Sequence, residues 1–375
     1  MRLKSCLKIA QLICMAPALL GASRVAVYHW DKPDWVPEPV VPHDNPMSAE
    51  KVELGRLLFY DKQLSANNEM ACATCHIQEK GFTDGKALSP GVNGEEGVRN
   101  AMSLVNLAYL PVLTWANPNQ KHLETQLLVP IFGGDPIELG MEGKENLLFA
   151  RLQADTRYPT LFKKAFPTEQ GAINLSTISK AIASFERSLL SFNAPYDQYK
   201  YDGQQQVISE AAKRGETLFF GDELECSHCH GGFNFTDNIQ HRRLAYPELG
   251  FHNTGLYNLD GNGAYPADNT GIRAITGDPA DEGKFRSPTL RNIAVTGPYM
   301  HDGSIATLRD VIVKHYAVQG KAVSDGQTPS PLRDPLIDGF KISAAEVDDL
   351  LAFLESLTDK EFLSNHQFAD PSTHP

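Results

Sequence analysis

Cys72-Ala-Thr-Cys75-His76 is the stretch that decides the fold, and Cys226-Ser-His-Cys229-His230 repeats its pattern later in the chain. A C-x-x-C-H run is typical of a c-type haem attachment site. The two thiols bond to the porphyrin, and the adjacent histidine supplies an axial ligand to the iron. Zinc is the alternative, but a zinc site with two histidines normally places them apart from the cysteine pair. Two copies predict two covalently bound haem c groups, with His76 on the first iron and His230 on the second.

Composition limits the size and the partners of the protein. The chain has 375 residues, enough for two domains, and 42% of them are hydrophobic, enough for packed cores. Its formal net charge is −12. Because binding to phosphate groups needs a basic face, this charge argues against nucleic acid as a partner.

The N-terminus has the layout of a targeting segment. Basic residues precede an apolar run, Ile9 to Leu20, which ends in small residues. This layout predicts a secretory signal peptide over residues 1–23, and therefore export to the periplasm. An uncleaved membrane anchor is the alternative. Cleavage would remove Cys6 and Cys14 and leave only the haem cysteines.

Residues 24–46 are rich in proline, and we interpret them as an extended lead-in to the first domain. Trp30 and Trp35 lie in this segment. They are interpreted as side chains that cover the domain surface, with docking of another molecule as the alternative.

The chain then contains an internal repeat. Residues 51–60 (KVELGRLLFY) precede the first haem motif, and residues 211–220 (AAKRGETLFF) precede the second. Each motif is followed by Phe-Thr-Asp, at residues 82–84 and 235–237. A sequence that repeats at this length predicts two copies of one structural unit.

Each copy also closes with an apolar-periodic helix. The first is predicted over residues 176–192 with a serine cap, and the second over residues 343–357, where Ser343 and Glu346 form a capping box. A helix before and a helix after the haem motif is the plan of a cytochrome c domain. The sequence therefore predicts a mainly α fold of two c-type cytochrome domains, each with one covalently attached haem, joined by a short linker and with long loops. The predicted domains are residues 47–195 and 205–365.

The sixth ligand of each iron separates an electron carrier from a catalyst. A carrier haem has both axial positions filled, whereas a haem that reacts with peroxide keeps one open. No histidine lies between His76 and His122, and Met102 and Met141 are the alternative ligands of the first iron. An open iron needs an acid–base group and amides that orient peroxide. The candidates for these roles are Gln126, Glu138 and Glu142.

The motifs taken together resemble a known family. They are the two haem motifs, Arg99-Asn100, the series Trp115…Gln126…Pro130…Glu138, and the run PTLRNIAVTGPYMHDGS over residues 288–304. Over about residues 45–360 the chain resembles the bacterial di-haem cytochrome c peroxidase/MauG family, with most similarity to its MbnH-like subgroup. The resemblance implies that Glu138 is the acid–base group, that Gln126 is its partner in the distal pocket, and that Trp115 relays electrons between the haems. Packing alone is the other interpretation of Trp115.

The resemblance also implies one calcium ion between the domains. Its ligands would be Asn100 and the backbone carbonyls of Thr296 and Pro298, oxygen donors that suit a hard cation. A helix cap is the other interpretation of Asn100.

The second iron is where the chain departs from the peroxidase relatives, which usually place a methionine on it. The corresponding helix here contains His315 and Tyr316. The resemblance to MauG favours Tyr316 as the sixth ligand, with His315 as the alternative. An anionic oxygen ligand stabilises ferric and higher oxidation states, whereas a thioether raises the potential.

The resemblance therefore implies a periplasmic oxidoreductase that uses hydrogen peroxide to form a high-valent bis-haem state. Its expected target is an aromatic residue, tryptophan first, of a secreted protein substrate. The first alternative is a cytochrome c peroxidase that takes electrons from a small redox cytochrome or cupredoxin. The second alternative is an electron carrier without enzymatic activity.

Overall fold

The structure is a computed structural model that describes residues 28–320 and 328–372. The predicted signal peptide lies outside the described residues. The prediction of a mainly α chain is confirmed. Within the described ranges, every helix is too short or too polar to span a bilayer. The helices are α1 (Ala49–Tyr60), α2 (Cys72–Cys75), α3 (Leu123–Gln126), α4 (Leu128–Phe132), α5 (Glu145–Ala154), α6 (Tyr158–Ala165), α7 (Leu175–Ser188), α8 (Pro195–Lys200), α9 (Glu210–Phe219), α10 (Cys226–Cys229), α11 (Arg273–Thr276), α12 (Leu308–Asp310), α13 (Ala344–Ser356) and α14 (Lys360–Ser364).

Two short strands and several single helical turns lie within the long loops. Two short antiparallel strands, β1 (Phe251–Asn253) and β2 (Lys284–Arg286), pair with His252 opposite Phe285. A π-helical turn covers Val311–His315. The 3₁₀ turns are Lys62–Leu64, Gln78–Lys80, Leu107–Tyr109, Pro167–Glu169, Pro279–Asp281, Ile293–Val295 and Tyr316–Val318.

Each copy of the repeat contributes its helices to its own hydrophobic core. In the first core, α1 packs against α7, and both helices bury their apolar faces. In the second core, α9 packs against α13 in the same way. Gly55 and Gly215 hold equivalent positions in the two pairs, since a Cβ atom on either would lie 2.0 Å from the backbone oxygen of the facing helix, at Ala181 and Asp349 respectively. Each helix pair therefore approaches closely at a glycine.

The loops repeat as well as the helices. Asn106 and Asn292 both adopt the left-handed conformation, with φ of 58° and 60°, and each begins a 3₁₀ turn. Phe82 and Phe235, which follow the haem motifs, also share positive φ values of 59° and 52°. Positive φ is uncommon outside glycine, so these matched positions show that the two copies share a backbone path and not only a sequence pattern.

Of the two helix caps predicted from the sequence, one is present in the structure. Ser343 caps α13 and Glu346 returns the bond, so the predicted capping box is confirmed. The predicted serine cap of α7 is wrong: Asn174 is the cap, its side chain accepts from Thr177 N, and the helix ends at Ser188 rather than near residue 192. Asn174 fits this role because its short amide reaches the free N–H groups of the first turn.

Two segments outside the repeats, one before the first repeat and one after the second, pack against the rest of the chain. Residues 28–48 form no helix or strand, yet Val36 is fully buried beside Tyr109 and Phe192. At the other end of the described chain, Phe362 of α14 and Phe368 pack into the first core. The Gln78 side chain donates to the carbonyls of residues 362 and 365, at 3.0 and 2.9 Å. The C-terminal segment therefore completes the first core, not the second.

We expect Gly55→Ala to lower the free energy of unfolding by at least about 2 kcal/mol, because the added methyl group would clash with the Ala181 carbonyl. The gain in helix propensity, about 1 kcal/mol, is smaller than this cost. Denaturant unfolding checks it, with Gly97→Ala as the control, since a Cβ atom there would meet nothing nearer than 3.7 Å. Equal stability of the two variants would contradict the close approach of α1 and α7.

Candidate haem and peroxide site

The first C-x-x-C-H motif forms a one-turn helix. Cys72 and Cys75 begin and end α2, and His76 is its C-cap residue. The His76 Nδ1 atom lies 2.8 Å from the carbonyl oxygen of Phe82. A carbonyl can only accept, so Nδ1 carries the proton and Nε2 keeps its lone pair. This tautomer is the one that an iron ligand requires.

The second motif has the same construction. Cys226 and Cys229 bound α10, His230 is the C-cap residue, and its Nδ1 atom lies 3.2 Å from the carbonyl oxygen of Phe235. Burial lowers the pKa of both proximal histidines and keeps them neutral. Within the described residues, all four motif cysteines are free of disulfides and partly exposed. Paired accessible thiols beside a neutral, oriented imidazole fit a covalently bound haem at each motif.

Glu138 lies close to the first motif. Its carboxyl is exposed on one side, yet burial by the surrounding protein raises its pKa. Burial is also the main cause of the raised pKa of Cys72 and Cys75, and the charge of Glu138 contributes to both. The charge of Glu138 therefore acts at the first motif.

The backbone fixes the position of Glu138. Its carbonyl accepts from Val92 N at 2.8 Å, and Leu139 N donates to Pro130 O at 2.9 Å. A Cβ atom on Gly91 would lie 1.8 Å from the carbonyl oxygen of Ile137, so only glycine lets the two segments approach. Gln126 ends α3, directly before α4, which contains Pro130. Gln126 and Glu138 thus lie on segments that flank α4.

Trp115 lies between the two halves of the chain. Its indole Nε1 donates to the Asn100 carbonyl at 2.9 Å, and its own carbonyl accepts from Arg286 N at 2.8 Å. It is buried and borders a cavity of about 60 Å³. The cavity is also lined by residues from both halves, among them Thr83, Met102, Pro288 and Thr289. Trp115 therefore lies where segments from the two halves of the chain meet.

The same cavity contains the predicted calcium ligands. Asn100, Thr296 and Pro298 all line it. The amide nitrogen of Asn100 donates to the carbonyls of Lys86 and Ala87, at 2.7 and 3.3 Å, which leaves the amide oxygen for a cation. These donors are neutral oxygens, a type that Ca²⁺ accepts together with water. No cluster of three or more acidic, histidine or cysteine ligands occurs among the described residues.

Tyr316 lies close enough to the second motif for the charges of its cysteines to act on the phenol. It follows the π-helical turn and remains partly accessible, while His315 beside it is 1% exposed. Burial raises the pKa of the Tyr316 phenol, and the charges of Cys229 and Cys226 raise it further. The phenol is thus near both thiols. Like Glu138, Tyr316 is partly accessible as a residue, yet the surrounding protein desolvates its titratable group. π-Helical turns are rare and often lie at functional sites, because the extra residue turns the following side chain.

The sequence interpretation missed a charged cluster beside the second motif. His252 on β1 donates to Asp237 through Nε2 at 2.6 Å and to Asp334 through Nδ1 at 2.7 Å. The hydrogen bond to Asp237 is the main reason why the pKa of His252 rises to about 11. The repeated Phe-Thr-Asp had marked Asp237 but gave no sign of its partners.

A second missed group lies beside the first motif. Glu186 on α7 is buried, and its Oε2 atom has no hydrogen-bond partner among the described residues. Burial raises its pKa to about 8, and its charge acts on Cys72. The helical period of α7 could have placed residue 186 on the buried face, but a charged residue there was not expected.

Known proteins resemble this chain along most of its length. A family model for di-haem cytochrome c peroxidase matches residues 49–206. The methylamine utilization protein MauG of Methylophilus methylotrophus is 34% identical, and the match covers 87% of this chain and 87% of that protein. The cytochrome-c peroxidase IdrP1 of Pseudomonas sp. (strain SCT) is 32% identical, with 87% of this chain and 85% of that protein covered.

A solved structure resembles the fold as well. It is described as a MauG-like protein associated with microbial copper homeostasis, and it is 47% identical to this chain with a TM-score of 0.87. The match covers 92% of this chain and 99% of that one. The sequence and the fold therefore agree on the same group of proteins.

Proposed function

This chain belongs to the di-haem cytochrome c peroxidase family, and from that premise we propose that it uses hydrogen peroxide to oxidise an aromatic residue of a partner protein. It is a haem-dependent oxidoreductase. In the proposed reaction, two electrons from the partner and two protons reduce one hydrogen peroxide to two molecules of water. The preferred target is a tryptophan side chain.

The proposal assigns roles to this chain's own residues. His76 and His230, with the four motif cysteines, would hold two haem groups, which supply the redox chemistry when bound. Glu138 would accept a proton from one oxygen of peroxide and return it to the departing oxygen, a task that suits a carboxyl group with a raised pKa. Gln126 would orient the peroxide. Trp115 would conduct electrons between the halves, because it touches segments of both.

The observation that carries the choice of substrate is Tyr316 beside the second motif. Its phenol is near both thiols, and residues 308–318, the helical segment that contains it, include no methionine. A phenolate ligand would favour the oxidised iron, whereas a high-potential electron acceptor would use a thioether. A second site that favours oxidation suits storage of oxidising equivalents more than receipt of electrons from a cytochrome.

Other parts of the proposal rest on the sequence and on the cavity. We place the protein in the periplasm, with a secreted protein as substrate. We also assign one calcium ion to Asn100, Thr296 and Pro298, where it would hold the two halves together across the cavity. The competing function is a peroxidase that takes electrons from a small cytochrome or cupredoxin. It has support from the relative IdrP1, which is described as a cytochrome-c peroxidase.

Peroxide titration separates the two functions. We expect the fully oxidised holoprotein to consume one equivalent of hydrogen peroxide directly, because Tyr316 favours the oxidised state of the second haem. The measurement is stopped-flow absorbance of the haem bands together with residual peroxide, for the oxidised protein and for protein reduced by one electron. A reduced small cytochrome c serves as the competing donor. If only the half-reduced protein reacts and the cytochrome is oxidised rapidly, the peroxidase function is correct.

A further inference from the structure

Tyr196 lies in the second core behind the second haem motif. It is 3% exposed, and its ring centroid is 5.6 Å from that of Phe235. Phe235 supplies the carbonyl that orients His230. The Tyr196 ring is also 5.3 Å from Phe353 of α13. An oxidisable phenol is thus separated from the proximal side of the second haem site by a single aromatic layer.

The Tyr196 phenol has a proton acceptor. Its hydroxyl donates to Glu216 Oε1 at 3.0 Å, and Lys200 Nζ lies 2.7 Å from the same oxygen. A tyrosine that loses an electron becomes a strong acid and must release its phenolic proton. Glu216 can take that proton along the existing hydrogen bond and return it when the electron is restored. The oxidised Tyr196 is then a neutral radical, and the remaining positive charge is on Lys200, whose side chain is 48% exposed to solvent.

Helix α8 leads from Tyr196 to the surface. Tyr201 caps α8, five residues after Tyr196, which is roughly 7.5 Å along a helix axis. The Tyr201 ring stacks on Trp35, with ring centroids 3.8 Å apart and planes inclined by 16°. Tyr201 is 42% exposed and Trp35 is half-buried. We call this pair the Trp35–Tyr201 stack.

We propose that Tyr196 and the Trp35–Tyr201 stack conduct electrons from a docked partner protein to the second haem site, an inference that rests on the proposed function. In each step the aromatic residue of the partner loses one electron to the stack, and the stack restores Tyr196, which has given its electron to the haem site. The proton of Tyr196 goes to Glu216 and comes back. After two such steps the partner has lost two electrons, and one hydrogen peroxide has gained them.

The charges around the stack indicate the kind of partner. Asp31, Asp34 and Asp202 are exposed near it in sequence. The two neighbouring lysines have partners within the chain: Lys32 donates to the carbonyl of Val36 at 2.8 Å, and Lys200, whose side chain is 48% exposed, pairs with Glu216. Apart from these two lysines, the charged residues nearest the stack in sequence are acidic. The partner should present its aromatic side chain among basic residues, which would also speed encounter at low salt.

Oxidation of the protein by its own peroxide chemistry tests the proposal. The holoprotein is treated with a few equivalents of hydrogen peroxide in the absence of any partner, and oxygen addition to Trp35 and Trp30 is measured by peptide mass spectrometry. We expect several-fold more oxidation at Trp35, because electrons leave the stack when no partner replaces them. Trp30 is the internal control, since it stacks edge-on against Tyr28 and not on Tyr201.

Two phenylalanine variants decide whether Tyr196 lies on the route. Tyr196→Phe should lower Trp35 oxidation several-fold, whereas Tyr199→Phe, in the same helix, should leave it unchanged. Equal oxidation of Trp35 and Trp30, or no effect of Tyr196→Phe in protein with a normal haem spectrum, overturns the proposal. Peroxide consumption is measured in the same samples. Failure of the wild-type protein to consume peroxide overturns the proposed function and this inference with it, whereas normal consumption with unselective oxidation overturns this inference alone.

Discussion

Replacing Glu138 by glutamine is expected to lower the rate constant for peroxide consumption by ~10²-fold or more, with both haems still attached. Glutamine keeps the size and most of the polarity of the side chain but cannot take and return a proton. The raised pKa of Glu138 brings the carboxyl nearer to the pH at which it must do both. Stopped-flow mixing of the oxidised holoprotein with peroxide measures the rate constant, and the haem spectrum checks attachment.

Glu142→Gln is the matched control for this variant. Glu142 is an exposed carboxylate four positions further along the same loop, and its loss should leave the rate constant unchanged.

The pH dependence of the rate constant gives a second measurement of the role of Glu138. Since the base must be ionised, the rate constant of the wild type should fall as pH drops through a value above about 4.3, the pKa of an ordinary glutamate. Glu138→Gln should lack this acidic limb, and a variant that keeps both the limb and the rate would remove Glu138 from the mechanism.

Replacing Tyr316 by phenylalanine is expected to remove the sixth ligand of the second haem. The ferric protein should lose its low-spin signal for that haem, and the reduction potential should rise by on the order of 0.1 V, part of the wide range that axial ligands span. The cause is loss of an anionic oxygen that favours the oxidised iron. Electron paramagnetic resonance and a spectroelectrochemical titration measure the two effects.

Two further variants make the ligand assignment decisive. Tyr299→Phe removes another phenol at the edge of the second core, one that donates to the carbonyl of Ile293 at 3.1 Å, and should leave the spectrum unchanged. His315→Gln removes the alternative ligand. If the low-spin signal survives Tyr316→Phe and disappears in His315→Gln, the assignment moves from Tyr316 to His315.

The parts of the fold that short sequence patterns specify could be predicted. The two haem motifs can be recognised because two cysteines and a histidine at fixed spacing suffice for the chemistry. The capping box of α13 was recognised because Ser343 and Glu346 are three residues apart and act only on local backbone groups. The cap of α7 was misplaced by two residues because Asn174 and Ser176 are both good caps, and the local sequence alone does not choose between them.

The contacts that join distant segments could not be predicted. His252 meets Asp237 and Asp334 across loops that have no hydrophobic period to follow. The orientation of Tyr316 depends on a π-helical turn, and no residue pattern in 311–315 predicts such a turn. In the same way, nothing in the sequence of 360–368 indicates that Phe362 belongs to the first core rather than to the second.

The position of Phe362 has a consequence for how the protein is made. Synthesis proceeds from the N-terminus, and domains usually fold in that order as they emerge. The first half of this chain cannot complete its core on its own, because Phe362, Phe368 and the carbonyls that hold Gln78 come after the second haem motif in the sequence. The first core therefore lacks two of its aromatic side chains until the segment after the second repeat has been made, so the two halves are not independent in folding.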